Sequence, residues 1–166
     1  MLAYVFAHRP ADATQSGAYE ERLLAFHRAL AQAGSEGFLN SVVFRVEAGY
    51  EDWYLVEGSF ALDPLNEAAV APRLRPAHDA VAHAAGGGMG SLFRLRSGVP
   101  GWESGEVAWL TKPPGEPYSD FYARLPSDAV LWRRQMVLGG PTEFLLEGEP
   151  PEGISAQRVR RALLAF

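Results

Sequence analysis

The sequence contains no cysteine, and lysine occurs only once, at Lys112. Without thiols the chain can form no disulfide, no thiolate nucleophile and no cysteine-ligated zinc or iron–sulfur site. Schiff-base chemistry would have to use Lys112, and its neighbours in the sequence give no sign of the desolvation that activates a lysine. Enzyme classes that depend on cysteine are therefore excluded before any motif is considered.

Positive charge is also scarce, because 15 Lys and Arg stand against 20 Asp and Glu, a net charge of −5. Nucleic-acid binding requires a basic surface, so we expect no nucleic-acid partner. Arg158, Arg160 and Arg161 form a local basic cluster, which we interpret as a solvated helix face. No apolar run approaches the roughly 20 residues of a membrane helix. The short apolar start, Met1 to Ala7, resembles a strand more than a secretory signal, so we expect a cytoplasmic protein without a membrane partner.

The sequence does contain an internal repeat. The run WYLVEGSF at Trp53 to Phe60 returns as EFLLEGEP at Glu143 to Pro150. Both runs alternate as a half-buried strand does, which indicates a duplicated structural unit. We therefore divide the chain into a first unit over residues 1–97, a linker over 98–105 and a second unit over 106–166.

The first unit is predicted to have the order β-α-β-β-α-β. A strand at Leu2 to His8 precedes a helix from Ser16 to near Gly34, and the next two strands form a hairpin. Pro72 and Pro76 divide the second helical stretch, and the fourth strand is Met89 to Arg96.

The second unit repeats this pattern in shortened form. It has a short helix at Tyr118 to Leu125, and a final helix is predicted at Ser155 to Leu164, where the fourth strand would be expected. The second unit should therefore lack a strand and leave a sheet edge unpaired, which favours a homodimer that covers it.

A repeated β-α-β-β-α-β unit ending in GSLFRLRSG resembles the ferredoxin-like dimeric α/β-barrel superfamily. This superfamily includes monooxygenase-like, EthD-like and NIPSNAP-like proteins, haem-degrading enzymes and the fused chlorite dismutase-like proteins. The resemblance is at the level of fold, and it implies an α+β fold of two tandem ferredoxin-like units packed as an intramolecular barrel, the second unit truncated. Fold alone does not define a function.

The candidate site follows from the alternation of side chains along the strands. If the small face of the first strand packs on helices, its bulky face lines the barrel together with alternate residues of the hairpin. The ligand-binding candidates are Tyr4, Phe6, Arg45, Trp53, Trp109, Arg133 and Glu147. Arg45 with Glu57, and Arg133 with Glu147, could each be a cross-strand ion pair or part of a polar patch in an aromatic cleft.

His8 and Glu57 are the candidate catalytic residues, because each would face the cleft and could exchange a proton with a ligand. A structural histidine and a structural ion pair are the simpler alternatives. His78 and His83 are five residues apart, which is unsuited to joint metal binding on a helix, so we predict no metal site.

Three hypotheses about function stay open at this point. The first is a small-molecule-binding protein without a cofactor, whose apolar or aromatic ligand lies between the sheets and undergoes monooxygenase-like or isomerase-like chemistry, or none. The second is a haem protein that uses His78 or His83, although fused haem-binding relatives carry their ligand in the second half, where this chain has no histidine. The third is a structural or assembly module.

Overall fold

Eight antiparallel strands form a closed barrel in the computed structural model, which describes residues 1–136 and 142–165. The strands are β1 (Leu2–Pro10), β2 (Phe38–Val46), β3 (Gly49–Val56), β4 (Ala85–Ser97), β5 (Gly105–Leu110), β6 (Val130–Arg134), β7 (Phe144–Glu147) and β8 (Ala156–Ala165). Within the described part, the α-helices are α1 (Ser16–Ala33), α2 (Leu62–Val70), α3 (Arg75–Ala82) and α4 (Tyr118–Arg124). The predicted α+β class is confirmed.

The strands follow the order β1-β3-β2-β8-β5-β7-β6-β4 around the barrel. The first four strands of the sequence are contiguous, and so are the last four. The two groups join where β2 pairs with β8 and where β4 pairs with β6. Each strand of the described residues therefore has two neighbours, and none of these strands has an open edge.

The predicted final helix is wrong, because the segment forms strand β8. Its backbone pairs with β2 on one side and with β5 on the other. These two ladders outweigh the helix propensity of a segment rich in arginine, alanine and leucine. Val159 and Leu163 pack against the barrel interior, and Arg161 is buried, whereas Arg158 is exposed. The basic cluster is therefore not a single solvated face.

The presence of β8 also removes the reason for expecting a homodimer. The truncated second unit was expected to leave an unpaired edge, and β8 occupies that position. The homodimer itself stays a prediction without this support. None of the helices in the described residues is long and apolar enough to cross a membrane.

The barrel interior is filled with large side chains. Trp53 and Trp132 are fully buried there, and their rings meet edge to face with centroids 5.4 Å apart. Trp102, from the segment between β4 and β5, packs against both rings. Aromatic rings in such contacts stabilise the core beyond the area they bury. Around these tryptophans the barrel interior is therefore a packed core and not an open cleft.

The orientation predicted for β1 is wrong. Ala3 and Val5, from its small face, belong to the barrel core, and Phe6, from its bulky face, packs with residues of the helices. The same reversal holds on β2, where Val42 and Phe44 face inward. The tryptophans already fill the interior, so only small side chains of β1 fit opposite them.

Candidate functional site

The candidate site is a cavity outside the barrel. It lies between the outer face of β1, β3 and β4 and the helices α1, α2 and α3. We call it the helix–sheet pocket. Its volume is about 730 Å³, within the usual range of ligand pockets. Its apolar lining includes Phe6, Phe26, Leu30, Leu65, Ala69 and Leu92. The pocket is thus large enough for an apolar small molecule.

Glycines on β4 create the space for the pocket floor. A Cβ atom at Gly88 would overlap the Phe6 ring, and a Cβ atom at Gly90 would overlap the Tyr4 ring. Both rings can therefore lie across β4 only because these positions lack side chains. The glycine-rich stretch from Gly86 to Gly90 is part of strand β4 itself.

A buried polar network forms one wall of this pocket. Tyr19 on α1 is hydrogen-bonded to His8 on β1, with 2.6 Å between the hydroxyl and Nδ1. The other ring nitrogen of His8, Nε2, lies 3.1 Å from Asp52 Oδ1 on β3. His8 is 6% exposed and Asp52 is 2% exposed, so this contact is sheltered from bulk water, although the two atoms are not aligned for a hydrogen bond. His8, Tyr19 and Asp52 all line the pocket.

The network continues from Asp52 to a second histidine on α1. His27 Nε2 lies 3.4 Å from Asp52 Oδ2, and its Nδ1 is 2.8 Å from the Ser41 hydroxyl. Tyr54 donates a hydrogen bond to Asp52 Oδ2 over 3.1 Å. Asp52 therefore lies between two imidazoles, and each imidazole has a hydroxyl on its far nitrogen.

The protonation of this network follows from the charge on Asp52. Burial would raise the pKa of Asp52, but hydrogen bonding and charge from His27 and His8 more than offset it and hold the pKa below its ordinary value. Because Nε2 of His8 faces the Asp52 carboxylate at 3.1 Å, we assign the ring proton to Nε2. In the neutral ring Nδ1 then accepts the Tyr19 proton, which assigns this tautomer. Burial raises the pKa of Tyr19 and of Tyr54, so both hydroxyls stay protonated.

The structure divides the predicted site residues among several places. Tyr4, Phe6 and His8 line the helix–sheet pocket, whereas Trp53 and Trp109 lie on the barrel side of the sheet. Glu57 is exposed beyond the end of β3. The predicted cluster of His8, Glu57 and both tryptophans in one cleft is therefore not formed.

The two predicted ion pairs have different partners. Arg45 pairs with Glu20 on α1, with distances of 2.8 and 2.7 Å from its Nε and Nη2 to the carboxylate. Arg133 pairs with Glu143, 3.1 Å from its Nε. Glu147 lies 3.7 Å from Arg161 instead. Neither arginine thus makes the cross-strand pair expected from the repeat.

Asp52, His27, Tyr19 and Tyr54 complete the site and were not among the predicted site residues. Asp52 immediately precedes the apolar run from Trp53 to Val56. A carboxylate so close to a buried strand needs a partner, and this was the available signal in the sequence. His27 beside the apolar stripe of α1 was the second signal. Nothing in the sequence connected the two positions.

His78 also lines the helix–sheet pocket, but His83 is exposed and does not. His78 Nδ1 lies 3.0 Å from Asp79 Oδ1, which leaves Nε2 for another partner. In residues 1–136 and 142–165, no group of three or more His, Cys, Asp or Glu side chains is arranged to hold a metal ion.

Comparison with known proteins supports the fold only. No family model matches the chain, and no curated protein matches it. Among solved structures it is similar to a crystal structure described as a "Putative Chlorite dismutase", with 12% identity and a TM-score of 0.51 over 99% of this chain and 94% of the other. At this identity the likeness shows a shared fold and nothing further, so the predicted resemblance is confirmed at the level of fold alone.

Replacing Asp52 by asparagine tests the network. The change leaves two buried histidines without their carboxylate, so Asp52→Asn should lower the free energy of unfolding by about 3 kcal/mol at pH 7. Because the folded pKa of Asp52 is lowered, its stabilisation is present above the unfolded pKa of about 3.9 and is lost as the pH falls through the folded pKa. The difference between wild type and variant, measured by urea unfolding from pH 7 to 3, should shrink towards acid.

The matched control is Asp128→Asn, since Asp128 is exposed and lies outside the helices and strands. It should change stability by less than about 0.5 kcal/mol at every pH. Equal effects of the two substitutions would contradict the structural importance assigned to the Asp52 network.

Proposed function

We propose that the protein binds an apolar or aromatic small molecule in the helix–sheet pocket and that His8, held by Asp52, exchanges a proton with it in cofactor-free, isomerase-type chemistry. One observation carries this proposal: an apolar cavity of about 730 Å³ has a buried histidine–aspartate contact in its wall. Titratable groups sheltered in a cleft are typical of functional sites.

The binding part of the proposal is supported by the shape and chemistry of the lining. The Phe6 ring stacks on His8 with centroids 5.2 Å apart, and the Phe26 ring meets His78 edge to face. These rings offer flat surfaces to an aromatic ligand. His8, Tyr19, Asp52 and Tyr54 are joined in one polar network, which would orient a ligand with one polar end. The other polar lining residues are Asp63, Asn66 and His78.

The proton-transfer part is supported by the order of groups in the network. A proton leaving the ligand could pass to the Tyr19 oxygen while the Tyr19 proton passes to His8 Nδ1. The resulting imidazolium would be stabilised by ionised Asp52. Return of the proton to another atom of the ligand completes an isomerisation with no change in atoms or electrons. An enolisable carbonyl compound is the simplest substrate of this kind.

The proposed site lies in the first half of the chain, and the distribution of the helices explains why. We infer that the two four-strand groups derive from one ferredoxin-like unit, since each repeats the same internal strand order. In the described residues three α-helices follow the strands of the first group, whereas α4 alone accompanies the second. The first group therefore has the helices that a pocket of this size needs to be enclosed against the sheet.

A bulky residue in the pocket should block binding. Ala69 on α2 lines the pocket, whereas Ala31 on α1 is exposed and does not. With 2-naphthol as a neutral aromatic probe, Ala69→Trp should weaken binding at least about tenfold, because the indole fills the cavity. Isothermal titration calorimetry measures the affinity.

Ala31→Trp is the matched control and should bind 2-naphthol as the wild type does. Circular dichroism of both variants establishes that they are folded. Unchanged affinity in folded Ala69→Trp would place the probe elsewhere and count against the pocket.

The chemistry is tested by hydrogen exchange at an acidic carbon. 2-Tetralone in deuterated buffer should exchange its α-protons faster with the protein present, as followed by nuclear magnetic resonance. His8→Asn should reduce the protein-dependent rate about 100-fold or more, because the base is removed. His83→Asn changes an exposed histidine and should leave the rate unaltered. Equal rates in the two variants would rule out His8 as the base, and binding without any acceleration would leave a binding protein only.

Haem binding is the second candidate, and His78 is the observation that favours it. The Asp79 carboxylate near its Nδ1 resembles the partner that orients many metal-ligating histidines. His78 would be the axial ligand, and the apolar lining would surround the porphyrin, which supplies iron redox chemistry when bound. Hemin titration should then give a Soret band that changes in His78→Ala but not in His83→Ala. A spectrum identical in wild type and both variants would exclude this ligation.

A further inference from the structure

The helix–sheet pocket has a second polar group on its floor, the hydroxyl of Tyr4. Tyr4, Phe6 and His8 follow one another on the outer face of β1, and all three line the pocket. Of these three, His8 alone belongs to the network around Asp52. Tyr4 is 36% exposed, and in residues 1–136 and 142–165 no group forms a hydrogen bond with its hydroxyl. A ligand in the pocket therefore meets a hydroxyl whose donor and acceptor are both available.

Gly90 on β4 determines where this hydroxyl lies. A Cβ atom at Gly90 would overlap the Tyr4 oxygen, so the hydroxyl lies directly over the backbone of β4. The Tyr4 ring is also held by Tyr54, on which it stacks with centroids 6.0 Å apart. Tyr54 stacks in turn on His27, with centroids 5.0 Å apart and planes tilted by 14°. The hydroxyl is thus held over β4 before a ligand binds, which lowers the entropy cost of binding.

The pairing of the strands sets the distance between this hydroxyl and the Asp52 network. Phe6 on β1 pairs with Asp52 of β3 on one side and with Gly90 of β4 on the other. Asp52, Phe6 and Gly90 therefore form one row across three strands. Because neighbouring strands are about 4.8 Å apart, the backbones at the two ends of this row are about 10 Å apart. The pocket floor thus has one polar group over β3 and another over β4.

We propose that the substrate of the helix–sheet pocket is a flat, elongated ring compound with an oxygen at each end. One oxygen, the carbonyl of the enolisable group, would lie near His8 and Tyr19, and the other would form a hydrogen bond with the Tyr4 hydroxyl. This inference rests on the function proposed for the same pocket and narrows its substrate class. Tyr4 is then a specificity-determining residue, because it selects ligands by the separation of their two oxygens.

The other polar residues of the lining are less suited to bind the second oxygen. Asp63, Asn66 and His78 belong to α2 and α3 and not to the strands of the floor. His78 Nδ1 is in addition already paired with Asp79. A ring that lies flat on the floor points its edges along the sheet, towards Tyr4, and turns only its face to the helices.

The probes are 2,6-dihydroxynaphthalene, which has a hydroxyl at each end, and 2-naphthol, which has one. Calorimetry should show that the wild type binds the diol about tenfold more tightly than 2-naphthol. One further hydrogen bond contributes about fivefold, and the two equivalent orientations of the symmetric diol contribute about twofold. Tyr4→Phe keeps the ring on Tyr54 and removes the hydroxyl, so it should reduce this preference to about twofold or less. Its affinity for 2-naphthol should equal that of the wild type.

Two controls separate the Tyr4 hydroxyl from other effects. In 2,3-dihydroxynaphthalene the hydroxyls are adjacent and cannot reach both ends, so the wild type should bind it within about twofold of 2-naphthol. Tyr118→Phe removes a hydroxyl on α4, outside the pocket, and should leave the preference for the 2,6-diol unchanged. Circular dichroism establishes that the variants are folded.

Gly90→Ala tests the position of the hydroxyl and not its presence. The added methyl group would overlap the Tyr4 oxygen, so the ring must shift, and the preference for the 2,6-diol should fall towards that of Tyr4→Phe. The matched control is Gly105→Ala at the start of β5, where no atom lies within 4 Å of the added carbon. It should keep the wild-type preference. A full preference in folded Gly90→Ala would contradict the placement of the second oxygen over β4.

Equal affinity of the wild type for 2-naphthol and the 2,6-diol would rule out a second oxygen site. A preference that survives in folded Tyr4→Phe would rule out Tyr4 as its partner. Equal losses of both ligands in Tyr4→Phe would also count against the hydroxyl, since Tyr4 would then act only on the shape of the pocket. All three results leave the proposed function intact if 2-naphthol binding still depends on Ala69. If neither ligand binds, the substrate class fails together with the proposed function.

Discussion

The pairing of β2 with β8 and of β4 with β6 closes the sheet, and the other features of the structure depend on that closure. A closed sheet has an inner face that must be filled and an outer face that can be covered by helices. Tryptophans from β3 and β6 fill the inside, so β1 turns its small residues towards them. The large aromatic and polar residues of β1 are thereby placed outside, under α1.

The closed sheet separates two chemical environments. Outside, one carboxylate, Asp52, lies between two imidazoles, each of which is hydrogen-bonded to a hydroxyl through its other nitrogen. Inside, the buried Arg161 lies near carboxyls whose ionised form is disfavoured by burial.

The glycines of β4 connect these two environments. Side chains there would obstruct the rings of Tyr4 and Phe6 on the outer face. The same stretch, at Gly87 and Gly88, borders a second cavity at the end of the barrel, on the inner face. A strand without side chains therefore leaves space on both sides, at a cost in conformational entropy that the ladder with β1 helps to offset.

Several features followed from the sequence alone because they depend on local rules. The stripe of α1 and its end at Gly34, which has a φ of 64°, are such features, and so is the short α4. The period of two identified β1 and β3 as strands and gave each two distinct faces. The prediction of an α+β barrel came from the resemblance to the ferredoxin-like dimeric α/β-barrel superfamily.

The tertiary structure alone decided which face of each strand is inside and which residues meet. Alternation is the same whichever face is buried, so the side of β1 depended on the tryptophans opposite it. The ten residues of β8 could form a helix or a strand, and the partners β2 and β5, far away in sequence, settled the outcome. The site likewise joins His8 and His27 to Asp52 through packing of α1 on the sheet, a contact that no local pattern encodes.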